Sequence, residues 1–418
     1  MRPIINFNVK NPVILTRFLN RFDDVFTKPA FISFSIYVSG LFLQLKRTSI
    51  QSISANTLRS QYENLQYFIS ESKWDTEQLN NRRIAILQSN RATKTSNKGV
   101  LVIDDSGCKK WGCKTEGAIK QHYGTEDIIT RCNVVVASAY CDGKKQYPIN
   151  LRPYRPEQEF FLQKDDPCFK SKLDLAKELV QDALDKNILF SDILIDTWYF
   201  SNDFIESIIN NQRTFISEAA ANRLISYRGI WTHADELVKL IPQDRFKAVT
   251  VSKTHSEKSS TWYYYGFKTK LKDIHSQLLV VVAVGSWDNN DPKNIHIFVT
   301  NHLSLSPTEV IRKYALRWGI ECIFRDLKEN VAFDHYQVRS IKAISRHWHL
   351  AVLAYSFLLI SKLNGSFSKI FNQYPKTMGQ QLTFFRKLNS QCSVKWILSN
   401  PDFYWKYLGI KSALNGAA

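Results

Sequence analysis

The chain has 418 residues, is 44% hydrophobic and 13% aromatic, and holds 12 Pro and 15 Gly, a composition that can bury a large core and excludes a disordered or fibrous chain. Its 56 Lys+Arg against 38 Asp+Glu leave a net charge of +18, which points to a polyanionic partner, either nucleic acid or an anionic membrane surface. Seven scattered cysteines fit a reducing cytoplasm better than a disulfide scaffold.

The first 98 residues read as a helical, DNA-binding N-terminal domain. The run Ala30–Leu45 is the most apolar, but it is broken by Ser33, Ser35, Ser39 and Gln44 and is shorter than the ~20 residues of a membrane span, so no membrane partner is expected. The opening MRPIINFNVKNP lacks the continuous apolar region of a signal peptide. Leu58, Tyr62, Leu65 and Ile69 recur at helical spacing within Thr57–Ser70, and Trp74-Asp75 open a further helix toward Leu87. The polar stretch Ser89–Gly99 reads as a linker.

From Gly99 the pattern changes. Val100–Ile103 is a short apolar run, expected to be a strand covered on both faces, ending in Asp104-Asp105-Ser106-Gly107 and followed by a lysine-bearing loop. Val134–Cys141 and Gln146–Leu151 read as strands joined by a turn at Asp142-Gly143. An amphipathic helix over 169–186, a strand Ile193–Ile195 delivering Asp196, a helix near 202–210 and a strand Thr214–Ile216 follow. Three strands, helix, strand, helix, strand is the order of a ribonuclease-H-like α/β catalytic domain, first part 99–226. Residues 227–305 are β-rich and read as an all-β insertion. The second catalytic part, 306–364, starts with Ser306 as cap and Pro307 at the first helical position, on a helix expected to run through Lys328. Residues 365–418 form a basic C-terminal region. By thirds, residues 1–100 carry +8, 101–321 carry +1 and 322–418 carry +9, so two basic ends flank a nearly neutral centre.

Tyr314, Arg317, Glu321 and Lys328 stand at offsets 0, 3, 7 and 14. At about 100° per residue they share a face about 60° wide, with Trp318 and Arg325 beside it. A carboxylate framed by a guanidinium fork, an ammonium and a phenol suits a metal ligand next to a phosphate backbone; an ordinary salt-bridged face has the same spacing. Asp105 and Asp196 end two apolar runs, where open α/β sheets place their sites. Three carboxylates sharing a site repel one another unless a cation neutralises them, and hard oxygen donors suit Mg²⁺ or Mn²⁺. Two such ions can activate a water or a 3′-hydroxyl and stabilise the leaving oxygen of a phosphodiester.

The segment YALRWGIECIFRDLK resembles the Y-(2)-R-(3)-E-(6)-K signature of insertion-sequence DDE transposases of the IS-four superfamily type, and the IDDSG and IDTWYF runs are similar to that family's two Asp motifs. The resemblance covers residues from about 50 to 350. It implies a ribonuclease-H-like domain with a β insertion, cut-and-paste DNA transposition, dependence on Mg²⁺ or Mn²⁺ (two ions), and a homodimer that synapses double-stranded element ends and target DNA in a prokaryotic cytoplasm, with the nucleoid. Carried over residue by residue, Asp105, Asp196 and Glu321 would be the catalytic, metal-binding triad. Tyr314, Arg317 and Lys328 would hold the DNA end, with Arg325 and Trp318 alongside. Asp105 is preferred to Asp104 because the family Asp directly precedes the hydroxyl residue; Asp104 stays open. Members of the family stack a flipped base on a Trp of the insertion, and Trp231, Trp262 and Trp287 are the candidates. A catalytically inactive transposase-derived DNA-binding regulator is the alternative function.

Overall fold

The computed structural model describes residues 9–43, 45–58, 61–124, 126–252, 259–285 and 294–402. Five helices come first: α1 (Val13–Leu19), α2 (Lys28–Leu41), α3 (Ile50–Ala55), α4 (Tyr62–Ser70) and α5 (Thr76–Ser89). Strands β1 (Val100–Lys109), β2 (Ile119–Tyr123), β3 (Ile128–Cys141) and β4 (Gln146–Tyr154) follow, then α6 (Lys172–Asp185), β5 (Ile193–Ile195), α7 (Asn202–Asn210) and β6 (Phe215–Glu218). Next come β7 (Leu224–Tyr227), β8 (Ile230–His233), α8 (Leu237–Leu240), β9 (Lys247–Ser252), β10 (Ser259–Leu271), β11 (Ile274–Val284) and β12 (Ile295–Thr300). The last helices are α9 (Pro307–Tyr314), α10 (Trp318–Val331), α11 (Ile341–Leu363), α12 (Ser366–Phe371) and α13 (Met378–Ser399).

These elements form two compact units, one of residues 95–108 and 119–323, the other of residues 1–94, 109–118 and 324–418. The first is built on a mixed sheet running β2-β3-β1-β5-β6-β12-β11-β10-β7-β8, with β4 on β3 and β9 on β10. Its centre is parallel, β1 to β5 and β5 to β6, because α6 and α7 carry the chain across between those strands. β3 and β4 are antiparallel through the tight turn at Asp142, whose side chain accepts from the Lys144 and Lys145 backbone N–H groups. Helix α6 opens with a reciprocal Ser171–Asp174 capping box and lays Leu175, Ala176, Leu179, Val180 and Ala183 onto β3 and β4. The β-rich residues 227–305 extend this sheet, since β12 pairs antiparallel with β6 and so covers what would be an open edge.

The sequence expectations differ from the structure in several places. β1 does not end at Asp104 but runs on to Lys109, so Asp104 and Asp105 lie inside a strand. β2, within the expected lysine loop, pairs with β3. β7 and β8 form a two-residue hairpin whose Arg228 and Gly229 both have positive φ (52° and 85°), a type I′ geometry that the pair Arg-Gly signals poorly. The helix expected from Pro307 through Lys328 is broken by a 3₁₀ turn at Ala315–Arg317.

In the second unit the N-terminal helices share a core with α11 and α13 and do not stand as a domain of residues 1–98. Phe18, Phe42 and Phe385 all pack on Phe357 of α11. Arg83 of α5 donates to the Ser356 hydroxyl, and Arg346 caps the backbone carbonyls of Ile69, Ser72 and Trp74. Tyr37 donates to Nδ1 of His347 at 2.8 Å while Nε2 faces the Ala332 carbonyl at 2.9 Å; burial pushes the His347 pKa down to about 3, so this histidine is a neutral core residue. Among the described residues, α11 rather than Ala30–Leu45 is the helix long and apolar enough to cross a membrane, but 89% of its most apolar window is buried inside the protein.

The partition also sorts the charge. The helical unit holds 29 Lys+Arg against 11 Asp+Glu, and the sheet unit 27 against 27. The whole excess of +18 therefore belongs to one unit.

Candidate active site

The sheet unit collects carboxylates where β1 runs on past the carboxyl end of its parallel neighbour β5. β1 and β5 are in register with Leu101 beside Ile193 and Val102 beside Leu194; carried on by two residues, that register sets Asp104 level with Asp196. Side chains alternate along a strand, so Asp104 and Asp105 leave β1 toward opposite faces. Their partners differ accordingly. Asp104 accepts from the Arg317 guanidinium at 3.0 Å, and the same guanidinium reaches Glu321 at 2.6 Å. Asp105 instead accepts from the Lys172 ammonium at 2.9 Å and the Tyr199 hydroxyl at 3.0 Å.

Burial and mutual repulsion raise the affinity of this site for positive charge. Asp104 is pushed up to about 7, first by burial and then by the Asp196 charge, against the pull of Arg317. Asp196 is raised for the same leading reason, although it accepts the Tyr199 backbone N–H at 3.0 Å. Burial opposes the Arg317 charge, but Tyr314, Asp104, Glu321 and Asp196 outweigh it and hold the guanidinium firmly protonated. Arg317 is thus the counterion of the site. It sits in the 3₁₀ turn and Glu321 in the first turn of α10, and from there the guanidinium links Glu321 to Asp104. Glycine is needed just there: a Cβ on Gly319 would lie 2.6 Å from the Cys141 sulfur.

Tyr314 closes α9 half-buried, its ring 4.8 Å from Phe298. Trp318 is 53% exposed. Arg325 is exposed and Lys328 half-buried on the part of α10 that belongs to the helical unit. Of the insertion tryptophans, Trp262 packs edge-on against His296, Trp231 is exposed on β8, and Trp287 lies outside the described residues. Among the described residues no three His, Cys, Asp or Glu side chains are gathered closely enough to hold an ion as they stand. Of the expected set of Asp105, Asp196 and Glu321, Asp105 is engaged by Lys172 and Tyr199 and its charge helps to raise Asp196, while Glu321 is engaged by Arg317. Lys172 and Tyr199 were passed over by sequence reasoning, which kept Asp104 open as the alternative to Asp105. The period-two alternation of a longer β1 would have separated Asp104 from Asp105.

Two protein families match the chain, "DDE superfamily endonuclease" over residues 21–224 and "Transposase DDE domain" over residues 156–357. Each match covers just under half of the chain, and the two overlap over residues 156–224. The second match spans Asp196, Arg317 and Glu321, the first Asp104, Asp105 and Asp196. A curated relative from Microchaete diplosiphon, named "Probable transposase for insertion sequence element IS701", is 22% identical over 315 residues, covering 74% of this chain and 77% of that one. Among solved structures, the piggyBac transposase in its synaptic complex with hairpin DNA aligns with a TM-score of 0.45 and 12% identity, over 93% of this chain and 77% of that one. DDE transposase domains imply a nuclease and transposition enzyme, and such domains generally use divalent metal ions.

Proposed function

We propose that this chain is an active insertion-sequence transposase of the IS-four superfamily type, in which a ribonuclease-H-like sheet carries the catalytic carboxylates Asp104, Asp196 and Glu321. The observation that carries the reading is the β1–β5 register, which levels Asp104 with Asp196, together with Arg317, which ties Asp104 to Glu321. The strand order β4-β3-β1-β5-β6 with α6 and α7 as crossovers supports the ribonuclease-H-like assignment. Asp104 replaces Asp105 in the triad because Asp105 leaves the other face of the strand.

Three hard oxygen donors around a buried cation fit Mg²⁺ or Mn²⁺ better than any softer ion. Bound there, divalent ions supply the activation of water or a 3′-hydroxyl and the neutralisation of the leaving oxygen. The protein's own part is to keep the carboxylates in a low-dielectric site and to offer Arg317 as a cation that can turn to a DNA phosphate once the carboxylates are otherwise neutralised. Tyr314, Lys328, Arg325 and Trp318 remain the proposed contacts to the DNA end. The helical unit, which holds all the excess positive charge, would grip double-stranded DNA of the element ends and target, and a homodimer would hold two ends together.

The test is Mn²⁺-dependent strand cleavage of DNA bearing the element's terminal inverted repeats, which flank the gene if the reading is right. D104A, D196A and E321A should each abolish cleavage and leave end binding within a few fold. Cleavage retained by D104A and lost in a folded D105A variant would return the triad to Asp105. DNA binding by the wild type without any cleavage would make the chain a regulator descended from a transposase.

A further inference from the structure

The row of carboxylates continues one strand beyond the site described above. β5 and β6 are parallel with Ile195 beside Ser217, so Asp196 stands level with Glu218, the last residue of β6. Glu218 in turn lies opposite Phe298 of β12, and His296, two residues along, leaves β12 on the same face. Because β12 runs antiparallel to β6, that step carries His296 past the carboxyl end of β6 to the rim of the sheet. Its ring is fixed by three neighbours: Nδ1 is 2.5 Å from the Glu218 carboxylate, Phe298 lies parallel at 6.0 Å and Trp262 edge-on at 5.1 Å. The side chain is still 32% exposed, and Nε2 has no hydrogen-bond partner among the described residues. The other charged groups around it are Lys247, level with it on β9 across β10 and β11, Arg317 beside Tyr314, and Asp196 and Asp104 further along the row. An ionised carboxylate only accepts, so Nδ1 carries the hydrogen and a neutral imidazole holds a lone pair at Nε2. Protonation turns that lone pair into a donor.

We infer that Nε2 of His296 is a phosphate site for the DNA strand being cut: the imidazolium donates to an oxygen of a phosphodiester flanking the scissile one, with Glu218 as the positioning residue that fixes the ring and its tautomer. β12 is two strand spacings from β5, about 10 Å, which is the rise of about three nucleotides, so this phosphate is a neighbour of the one at the carboxylates. The charge-assisted bond forms only with the proton in place, so DNA takes up a proton on binding here and affinity falls as pH rises. Ion binding at Asp104 has the opposite sign, because it must displace a proton. Grip on the strand and loading of the ion therefore favour opposite ends of the pH range, and cleavage is confined to their overlap. This inference rests on the transposase reading and gives a role to a pair that the carboxylate chemistry does not use.

The test uses the full chain in EDTA, so that no strand is cut, and a fluorescein-labelled duplex carrying the element's terminal repeat, with affinity read by anisotropy at fixed salt from about pH 5.5 to about pH 8.5. Wild-type affinity should fall about tenfold more over this range than that of H296Q, whose amide donates without titrating. Asp104 and Asp196 also lose protons as pH rises, but both proteins share that part and it cancels in the ratio. Among duplexes with one neutral methylphosphonate at successive positions beside the cut, one should remove the extra pH dependence of the wild type and leave H296Q unchanged. E218Q, which can offer Nδ1 an amide N–H and so free a neutral ring to donate from Nε2, should show less of that dependence. Equal pH dependence in the wild type and a folded H296Q overturns the site, as does a series in which no methylphosphonate alters the wild-type profile, a measurement that needs no variant. An unchanged profile in E218Q overturns the positioning role. A wild type that cuts the duplex but shares its pH dependence with H296Q removes this site alone; one that binds no duplex removes the transposase reading with it.

Discussion

Replacing Asp104 by Asn isolates the cost of the charge that the sheet unit buries inside β1. In the folded chain Asp104 keeps its proton to about pH 7, against an ordinary value of 3.8. Below about pH 4 the carboxyl is protonated in both the folded and unfolded states, so its contribution to stability is fully present. Between these values the unfolded chain releases the proton and the folded one does not, so stability falls as pH rises; above pH 7 the loss is complete. The interval is roughly three pH units at about 1.4 kcal/mol each, or of the order of 4 kcal/mol. The side chain is 14% exposed, so solvent screening removes little of it. Asn is never charged and should be spared this loss. Denaturant midpoints of wild type and D104N in EDTA should therefore coincide near pH 4 and diverge steadily toward pH 8, with D104N the more stable by a few kcal/mol. Asp196, also raised, keeps part of the slope in both proteins. A gap that stays constant from pH 4 to 8 would refute the placement of Asp104 against Asp196 and the low-dielectric character of the site.

Other outcomes follow from single contacts. Mn²⁺ affinity of the wild type should rise about tenfold per pH unit below pH 7 and level off above it in calorimetry, because ion binding must displace the Asp104 proton. R346M should lower stability by about 3–5 kcal/mol in urea titrations, since Arg346 is 3% exposed and loss of its guanidinium leaves the Ile69, Ser72 and Trp74 carbonyls without that donor. Burial would raise Asp192, but hydrogen bonds from Lys313, Thr214 and His302 outweigh it and hold its carboxyl below the usual range; its stabilising contribution is present above pH 3.8 and lost on acidification below it, and D192N should flatten that acid limb of the unfolding profile. G319A should cost about 1–3 kcal/mol and depress cleavage by pushing the start of α10 off Cys141, and the double variant G319A/C141A should recover most of both losses.

Much of the catalytic frame was legible because it is local. β5 and α7 fall on the expected residues, and α6 within three residues of them, since short apolar runs and a 3.6-residue period mark them directly. Ser306 and Glu309 do form a capping box in front of Pro307. The choice between Asp104 and Asp105 was not legible, because it depends on how far β1 continues, and the polar run Asp-Asp-Ser-Gly looks like the end of a strand until β3 and β5 are seen beside it. The break at Ala315–Arg317 was equally hidden: no Pro or Gly marks it, and close packing of Gly319 on Cys141 accompanies it.

The amino-acid sequence by itself pointed to a polyanionic partner, gave a nearly neutral centre and singled out three segments bearing candidate carboxylates; these follow from composition, spacing and short-range periodicity. Only the tertiary structure decided where the charge resides. The basic ends, more than two hundred residues apart in the chain, fold into one helical unit because α11 buries its aromatic face against α2, α4, α5 and α13. The sheet unit is left with no net charge and with carboxylates whose alignment depends on strand register. Charge can be counted along a chain, but which charges share a surface and which face of a strand a carboxylate leaves from are consequences of long-range packing and pairing.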